Sequence, residues 1–433
     1  MDFPENIRQA RAALAAGTIT PAQLAAAALA RANANAGRNT YLWRDPEWTL
    51  NEAERVSIMA AGSSGLFADT RPNLWGIPVS VKDCFDLAGT PTTCGVKFYG
   101  EVNGNRPQDS WLVETLRKAG AVITGKTHLH PLAYGITGEN PEFGDCEQPG
   151  NPGALTGGSS SGAAASVLEG SALAAIGTDT GGSIRGPAAL CGLAGYRASI
   201  GRGDWRGGAH LAQAFDTMGW LFRDLQDGPL LAETFAPSKK PSRREYASFA
   251  IVAEDFLHDC EPRIVSSMHR VADQLRDLGL QSRTIEVDWW NNSFEMFAPI
   301  QAWEAARIHA GHFEKIQPAI RERLEWGARI TDSEVAILRE RHAEFRARLD
   351  GLVGEHELIL LPASPVARLN VAEDNSQARS RILRYTVPFS LGGNPVVTIP
   401  CTAGGIQLAA AREEDENLLE LAAQLGSRTT GSR

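Results

Sequence analysis

The stretch "LTGGSSSGAAASVLEGSALAAIGTDTGGSIRGPAALCG", Leu155 to Gly192, constrains the fold more than any other part of the chain. It carries two Gly-Gly-Ser units, "GGSSSG" from Gly157 to Gly162 and "TGGSIRGP" from Thr180 to Pro187. Between them "SGAAASVLE" reads as a helix and "SALAAIG" as a short buried strand. Gly-Gly before Ser lets the backbone turn tightly and aim several N–H groups into one space, since Gly accepts φ > 0 and has no side chain to block approach. Ser183 therefore stands at the end of an apolar strand, where layered α/β proteins place their sites, beside amides able to stabilise an oxyanion. Composition alone also admits two plain turns here.

The flanking segments extend the same pattern. In "GIPVSVKD" Val79 and Val81 alternate with Ser80 and Lys82, a strand with Ser80 and Lys82 on one face. "GAVITGKT", Gly120 to Thr127, matches the phosphate-loop pattern G-x-x-x-x-G-K-[ST], but such a loop follows a strand and opens a helix. Here the order is reversed. "DSWLVETLRKAG" is a helix capped by Ser110 and stopped at Gly120, and Val122, Ile123 and Thr124 begin a strand. Near the start, "GTITPAQLAAAALARA" predicts a helix with Thr20 as N-cap, Pro21 at its first position and Gln23 completing a capping box. Past Pro241 the pattern is helical, in "RIVSSMHRVADQLRDLGL" and again from Thr331 in "TDSEVAILRERHAEFRARL". "LILLPASP" and "NPVVTIP" return to short apolar strands. This alternation predicts an α/β fold in one large domain, residues 1–433: N-terminal helices (1–70), a catalytic core (71–240), a helical subregion (241–350), and C-terminal strands and helix (351–433).

A net charge of -9 argues against general nucleic-acid binding, which needs clustered Lys and Arg. No apolar run approaches the roughly 20 residues needed to span a membrane, and "MDFPENIRQARAAL" lacks the basic start and apolar core of an export signal. The six cysteines form no C-x-x-C pair, which fits free thiols in a reducing cytoplasm and not a structural metal or disulfide framework.

A serine nucleophile needs a base. None of the nine histidines stands out from spacing, and Lys82 is the other choice. If the strand is buried, Lys82 is driven toward neutrality, a fall of roughly 3 from about 10.4 that costs about 4 kcal/mol. If the strand lies at an edge, Lys82 reaches solvent and carries no chemistry.

"GIPVSVKDCFDLAGTPTTCG", "GGSSSGAAASV" and "GTDTGGSIRGPAALCG" together, and in this order, resemble the amidase signature family of serine hydrolases. "KAGAVITGKTHLHPLAYG", "FDTMGWLFRD", "LLPASP" and "YTVPFSLGGNPVVTIP" are also similar to family segments, so the likeness runs from about Thr20 to Leu425, weakest between Pro241 and Gly351. The resemblance implies a mixed β-sheet core covered by helices on both faces. It implies a Ser-Ser-Lys triad: Ser183 as nucleophile, Ser159 as proton relay after a cis peptide at Gly158, and Lys82 as base. The amides of Thr180, Gly181, Gly182 and Ser183 would form the oxyanion hole, with Gly158, Asp179 and Arg185 supporting the loops. The implied reaction is hydrolysis of a small carboxylic amide or urea-like substrate through a seryl acyl-enzyme, releasing ammonia or an amine, with no metal or organic cofactor.

The chain departs from the family pattern at Cys84, where Asn is common, at "YRASIGRGDWRGG", and in a shortened segment after Pro400. Two rival readings follow. One is the glutamine-hydrolysing A subunit of a tRNA-dependent amidotransferase, within the same family. The other is a metal-dependent amidohydrolase using the H-x-H pair His128 and His130, which a strand would place on one side. Trp205, Arg206, Trp289 and Trp290 are candidates to line the pocket. The expected partner is a small amide, and a homodimer stays open.

Overall fold

In a computed structural model the chain is described over residues 3–61, 71–235, 245–354 and 357–429. The predicted boundaries at 70/71 and 240/241 fall at 62–70 and 236–244, outside the described residues. Among the described residues eleven strands form one mixed sheet: β1 (Tyr41–Trp43), β2 (Pro78–Lys82), β3 (Val122–Thr127), β4 (Ala174–Thr178), β5 (Ala194–Arg197), β6 (Met218–Phe222), β7 (Ser248–Val252), β8 (Gln281–Ile285), β9 (Glu357–Pro362), β10 (Val396–Pro400) and β11 (Gly405–Ala409). Their spatial order is β1-β3-β2-β4-β6-β5-β10-β11-β9-β7-β8. β2 pairs in parallel with both β3 and β4, and β7 with both β8 and β9, while the strands between run antiparallel. Helices cover both faces, as the α/β reading anticipates.

The local signals act as their chemistry predicts. Thr20 and Gln23 close a capping box on the helix Pro21–Ala34, and Thr331 and Glu334 close another on Asp332–Val353. Ser110 caps Trp111–Lys118, and Gly120 at φ 81° turns the chain into β3. "GAVITGKT" is thus a turn and a buried strand, and Lys126, the lysine of the apparent phosphate loop, is fully buried against Asp83 at 2.6 Å.

The stretch expected to be a helical insert is more than that. It supplies β7 and β8, because "SFAIV" is apolar enough to enter the sheet and "QSRTI" lies on its exposed edge. All five residues of β2 are buried, so Lys82 does not reach solvent. Val79 and Val81 join the main core, while Ser80 meets Ser166 of the helix Ser161–Glu169 at 2.8 Å. Lys82, two residues on, faces the start of the same helix.

Candidate active site

β2 and β4 run side by side and end together, Lys82 closing one and Thr178 the other. The two Gly-Gly-Ser loops meet beyond these carboxyl ends, the position at which open α/β sheets leave a crevice. Lys82 Nζ lies 2.7 Å from Ser159 Oγ, 2.7 Å from Thr178 Oγ1 and 3.1 Å from Ser160 Oγ. Its three polar neighbours are hydroxyls, and among the described residues it makes no ion pair. Burial lowers Lys82 to about 8, against weaker opposition from Cys84, Asp179 and Asp216.

Ser159 and Ser160 differ in their commitments. Ser160 Oγ donates to the Thr178 carbonyl at 3.2 Å and accepts the Thr178 N–H at 3.3 Å, which ties it to β4. Ser159 is held through its backbone: the Gly158–Ser159 peptide is cis, and the Ser159 carbonyl accepts the His130 N–H at 3.1 Å. A Cβ on Gly158 would stand 2.7 Å from the Gly138 nitrogen, so only glycine fits.

Ser183 sits on the second loop, joined to the first by the Ser160 N–H donating to the Ser183 carbonyl at 3.2 Å. Gly182, at φ 124°, packs against Thr386, where a Cβ would lie 2.7 Å from Oγ1. The Asp179 carboxylate holds this loop from beneath. It accepts the N–H groups of Gly182 at 2.8 Å, Ile184 at 3.1 Å and Arg185 at 3.3 Å. The Gly182 N–H, expected among the oxyanion donors, is thus turned toward Asp179. The amides of Thr180, Gly181 and Ser183 have no protein acceptor among the described residues. Burial by itself raises the Asp179 carboxyl, but the guanidiniums of Arg185 and Arg197 together hold it well below the usual carboxylate range.

Arg185 places Nη2 2.8 Å from Asp179 Oδ1 and spends its other donors on the Thr386 carbonyl, Gln407 and Ser390. Arg197 reaches the same carboxylate at 3.1 Å. It lies in the run that departs from the family pattern, and nothing in its spacing marks it. Thr180 Oγ1 donates to Asp216 at 2.6 Å.

A cavity of about 290 Å³, counted to its open mouth, lies in front of Ser183. Thr180, Gly181, Ile136, Tyr134, Phe297, Gln301, Arg379 and Leu383 form its walls. The tryptophans proposed from sequence are elsewhere. Trp290 is fully buried in the core, Trp289 packs on Phe345, Trp205 stacks on His210, and Arg206 pairs with Glu114 on the surface.

His128 has both ring nitrogens committed, Nδ1 to Ser161 Oγ at 2.7 Å and Nε2 to the Gly144 carbonyl at 2.9 Å, so Nε2 donates and Nδ1 accepts. Burial lowers it to about 4 and keeps it neutral. His130 is buried with its ring over Gly135, and burial followed by Arg323 and Arg379 pushes its pKa well below the ordinary value. Among the described residues no group of three or more His, Cys, Asp or Glu is placed to hold a metal ion. Cys84, the other departure, is buried, and burial pushes its thiol up to about 12.

This chain is 30% identical over 355 residues to the 2-amino-5-chloromuconic acid deaminase of Comamonas testosteroni, covering 76% of the chain and 74% of that protein. It is 38% identical over 258 residues to the glutamyl-tRNA(Gln) amidotransferase A subunit of Anaeromyxobacter sp. (strain K), covering 59% of the chain and only 50% of that protein's length. A solved amidase structure superposes with a TM-score of 0.88 at 30% identity, covering 98% of this chain and 99% of that one. The family model described as Amidase matches residues 23–419. That match takes in both Gly-Gly-Ser loops, the strand bearing Lys82 and the C-terminal strands, and the chain therefore belongs to the amidase family of carbon–nitrogen hydrolases.

Proposed function

We propose that this protein hydrolyses the C–N bond of a small carboxylic amide or urea-like substrate through an acyl-enzyme on Ser183. The observation that carries this reading is the buried Lys82, surrounded by hydroxyls and lowered to about 8, at hydrogen-bond distance from Ser159. A lysine so placed is neutral often enough near neutral pH to serve as a base.

Neutral Lys82 takes the Ser159 proton as Ser159 takes that of Ser183, and Ser183 Oγ bonds to the amide carbon. The carbonyl π electrons move to oxygen, and the amides of Thr180, Gly181 and Ser183 stabilise the resulting oxyanion. On collapse the C–N bond breaks, and the amine or ammonia leaves with the proton returned from Lys82 through Ser159. Water then gives a proton to the same relay and attacks the ester carbon. Collapse frees the carboxylic acid and re-protonates Ser183. Each turnover consumes one water and one amide. Asp179, Arg185 and Arg197 position the loop.

The likeness to an amidotransferase protein supports the same acyl chemistry with glutamine as the second choice of substrate. Glutamine is disfavoured here because the residues lining the cavity include no Asp or Glu to receive its ammonium. The six free cysteines support a reducing, cytoplasmic setting. No helix among the described residues is long and apolar enough to cross a membrane.

The test is release of ammonia or amine from a panel of small amides and ureas by wild type and Ser183→Ala. Turnover lost in Ser183→Ala supports the reading; equal turnover by both proteins overturns it.

A further inference from the structure

The cavity in front of Ser183 contains a positive charge that no ion pair among the described residues neutralises. Arg379, on the helix Ser376–Gly392, lines it with Tyr134, Gln301, Phe297 and Leu383. Its neighbours on that helix are paired, Arg381 and Arg384 both reaching Asp259, at 3.4 and 2.9 Å. Arg379 makes no ion pair among the described residues, and its Nε is buried without a hydrogen-bond partner. Arg323 stands nearby and adds to the positive field. It donates to the Tyr134 carbonyl at 2.5 Å and lies 5.5 Å from the centre of that ring. Burial and then Arg323 lower Arg379 to about 10, which leaves it charged at neutral pH.

Arg379 is half-buried, with its Nε out of reach of solvent, and a guanidinium so placed without a counter-charge gains from a ligand that completes it. Its planar fork of donors matches a carboxylate, which it can bind by two parallel hydrogen bonds. No acidic side chain lines the cavity to fill that role.

We propose that the substrate is an amide whose acyl portion bears a free carboxylate, a monoamide of a short dicarboxylic acid, and that Arg379 holds this carboxylate while Ser183 meets the amide carbonyl. The proposal rests on Ser183 being the nucleophile. The methylenes between the two groups pack on Ile136, Phe297 and Leu383, and the small volume limits their number. The same positive field repels a substrate ammonium, so amino-acid amides are poor substrates.

The experiment measures kcat/KM for the monoamides of malonic, succinic and glutaric acids against the matching neutral diamides. It uses wild type, Arg379→Gln and Arg379→Lys, and follows fluorophosphonate labelling of Ser183 in parallel. Wild type is expected to favour at least one monoamide over its diamide by tenfold or more, mainly through KM. That ratio falls at least tenfold in Arg379→Gln and is partly restored by Lys. Equal or better hydrolysis of the diamides by a wild type that labels at Ser183 overturns the carboxylate site and leaves the amidase reading intact, as does labelling with no monoamide hydrolysed. Absence of both labelling and hydrolysis removes the amidase reading and this proposal with it. Should Arg379→Gln fail to fold, protection of wild-type Ser183 from labelling by succinate decides: protection supports the site, and its absence counts against it.

Discussion

Lys82 Nζ lies 2.7 Å from Ser159 Oγ and faces only hydroxyls, whereas Lys126, equally buried on the neighbouring strand β3, is paired with Asp83 at 2.6 Å. The same residue type is thus used in two ways. A lysine beside a buried carboxylate is held in an ion pair and serves the fold. One left among hydroxyls has lost the interaction that would favour its charge, and this is the condition for a base.

If Ser159 carries the proton and Ser160 only ties the loop to β4, the two alanine variants must separate. Ser159→Ala is expected to lower kcat/KM by roughly 10²- to 10⁴-fold, the range for loss of a general acid–base step. Ser160→Ala, which removes the contacts to Thr178, is expected to cost less activity and some stability. Steady-state kinetics with thermal melting of both variants checks this.

Protonation of Lys82 sets a pH limb. Below about 8 the charged, inactive form dominates, so kcat/KM rises as pH rises toward 8 and levels beyond it. Lys82→Met abolishes this limb and most of the activity. The stability sign follows from the same shift. Between about 8 and the unfolded value near 10.4 the unfolded chain binds this proton and the folded one does not, so the Lys82 contribution to stability rises with pH across that window, by on the order of 3 kcal/mol, and is unfavourable below it. Denaturant titrations of both proteins near pH 7.5 and 10 isolate this contribution: the stability of wild type relative to Lys82→Met should rise between the two pH values.

Asp179 joins two buried guanidiniums to three loop amides. Asp179→Asn leaves Arg185 and Arg197 without their counter-charge, and a loss of about 3–5 kcal/mol is expected from breaking a buried ion pair on one side. Urea unfolding measures it, and a loss below about 1 kcal/mol would remove Asp179 from the support of the loop.

Because His128 is saturated by Ser161 and Gly144, the metal-dependent reading makes a clear opposing forecast. Dialysis against a strong chelator is expected to leave hydrolysis unchanged. Loss of activity restored by a divalent metal would favour the metal-dependent reading.

What the sequence made legible was whatever local chemistry decides. Capping boxes at Thr20 and Thr331, the stop at Gly120 and the strand ending in Lys82 are written in neighbouring residues, and the Gly-Gly-Ser loops announce close backbone approach. Whether Lys82 was buried depended on β3 and β4 flanking it, which alternation along one strand does not reveal. Arg197, Arg323 and Arg379 come to the site from β5 and two distant helices, and only the fold brings them there. The tryptophans misled because large aromatics mark burial as readily as a pocket: Trp290 fills the core.

The most direct measurement is the intact mass of the protein after treatment with a small fluorophosphonate, with peptide mapping and a Ser183→Ala control. A single adduct is expected, mapped to Ser183 and absent from the control. An unmodified wild type, or an adduct that persists in Ser183→Ala, would contradict the assignment of Ser183 as the activated nucleophile.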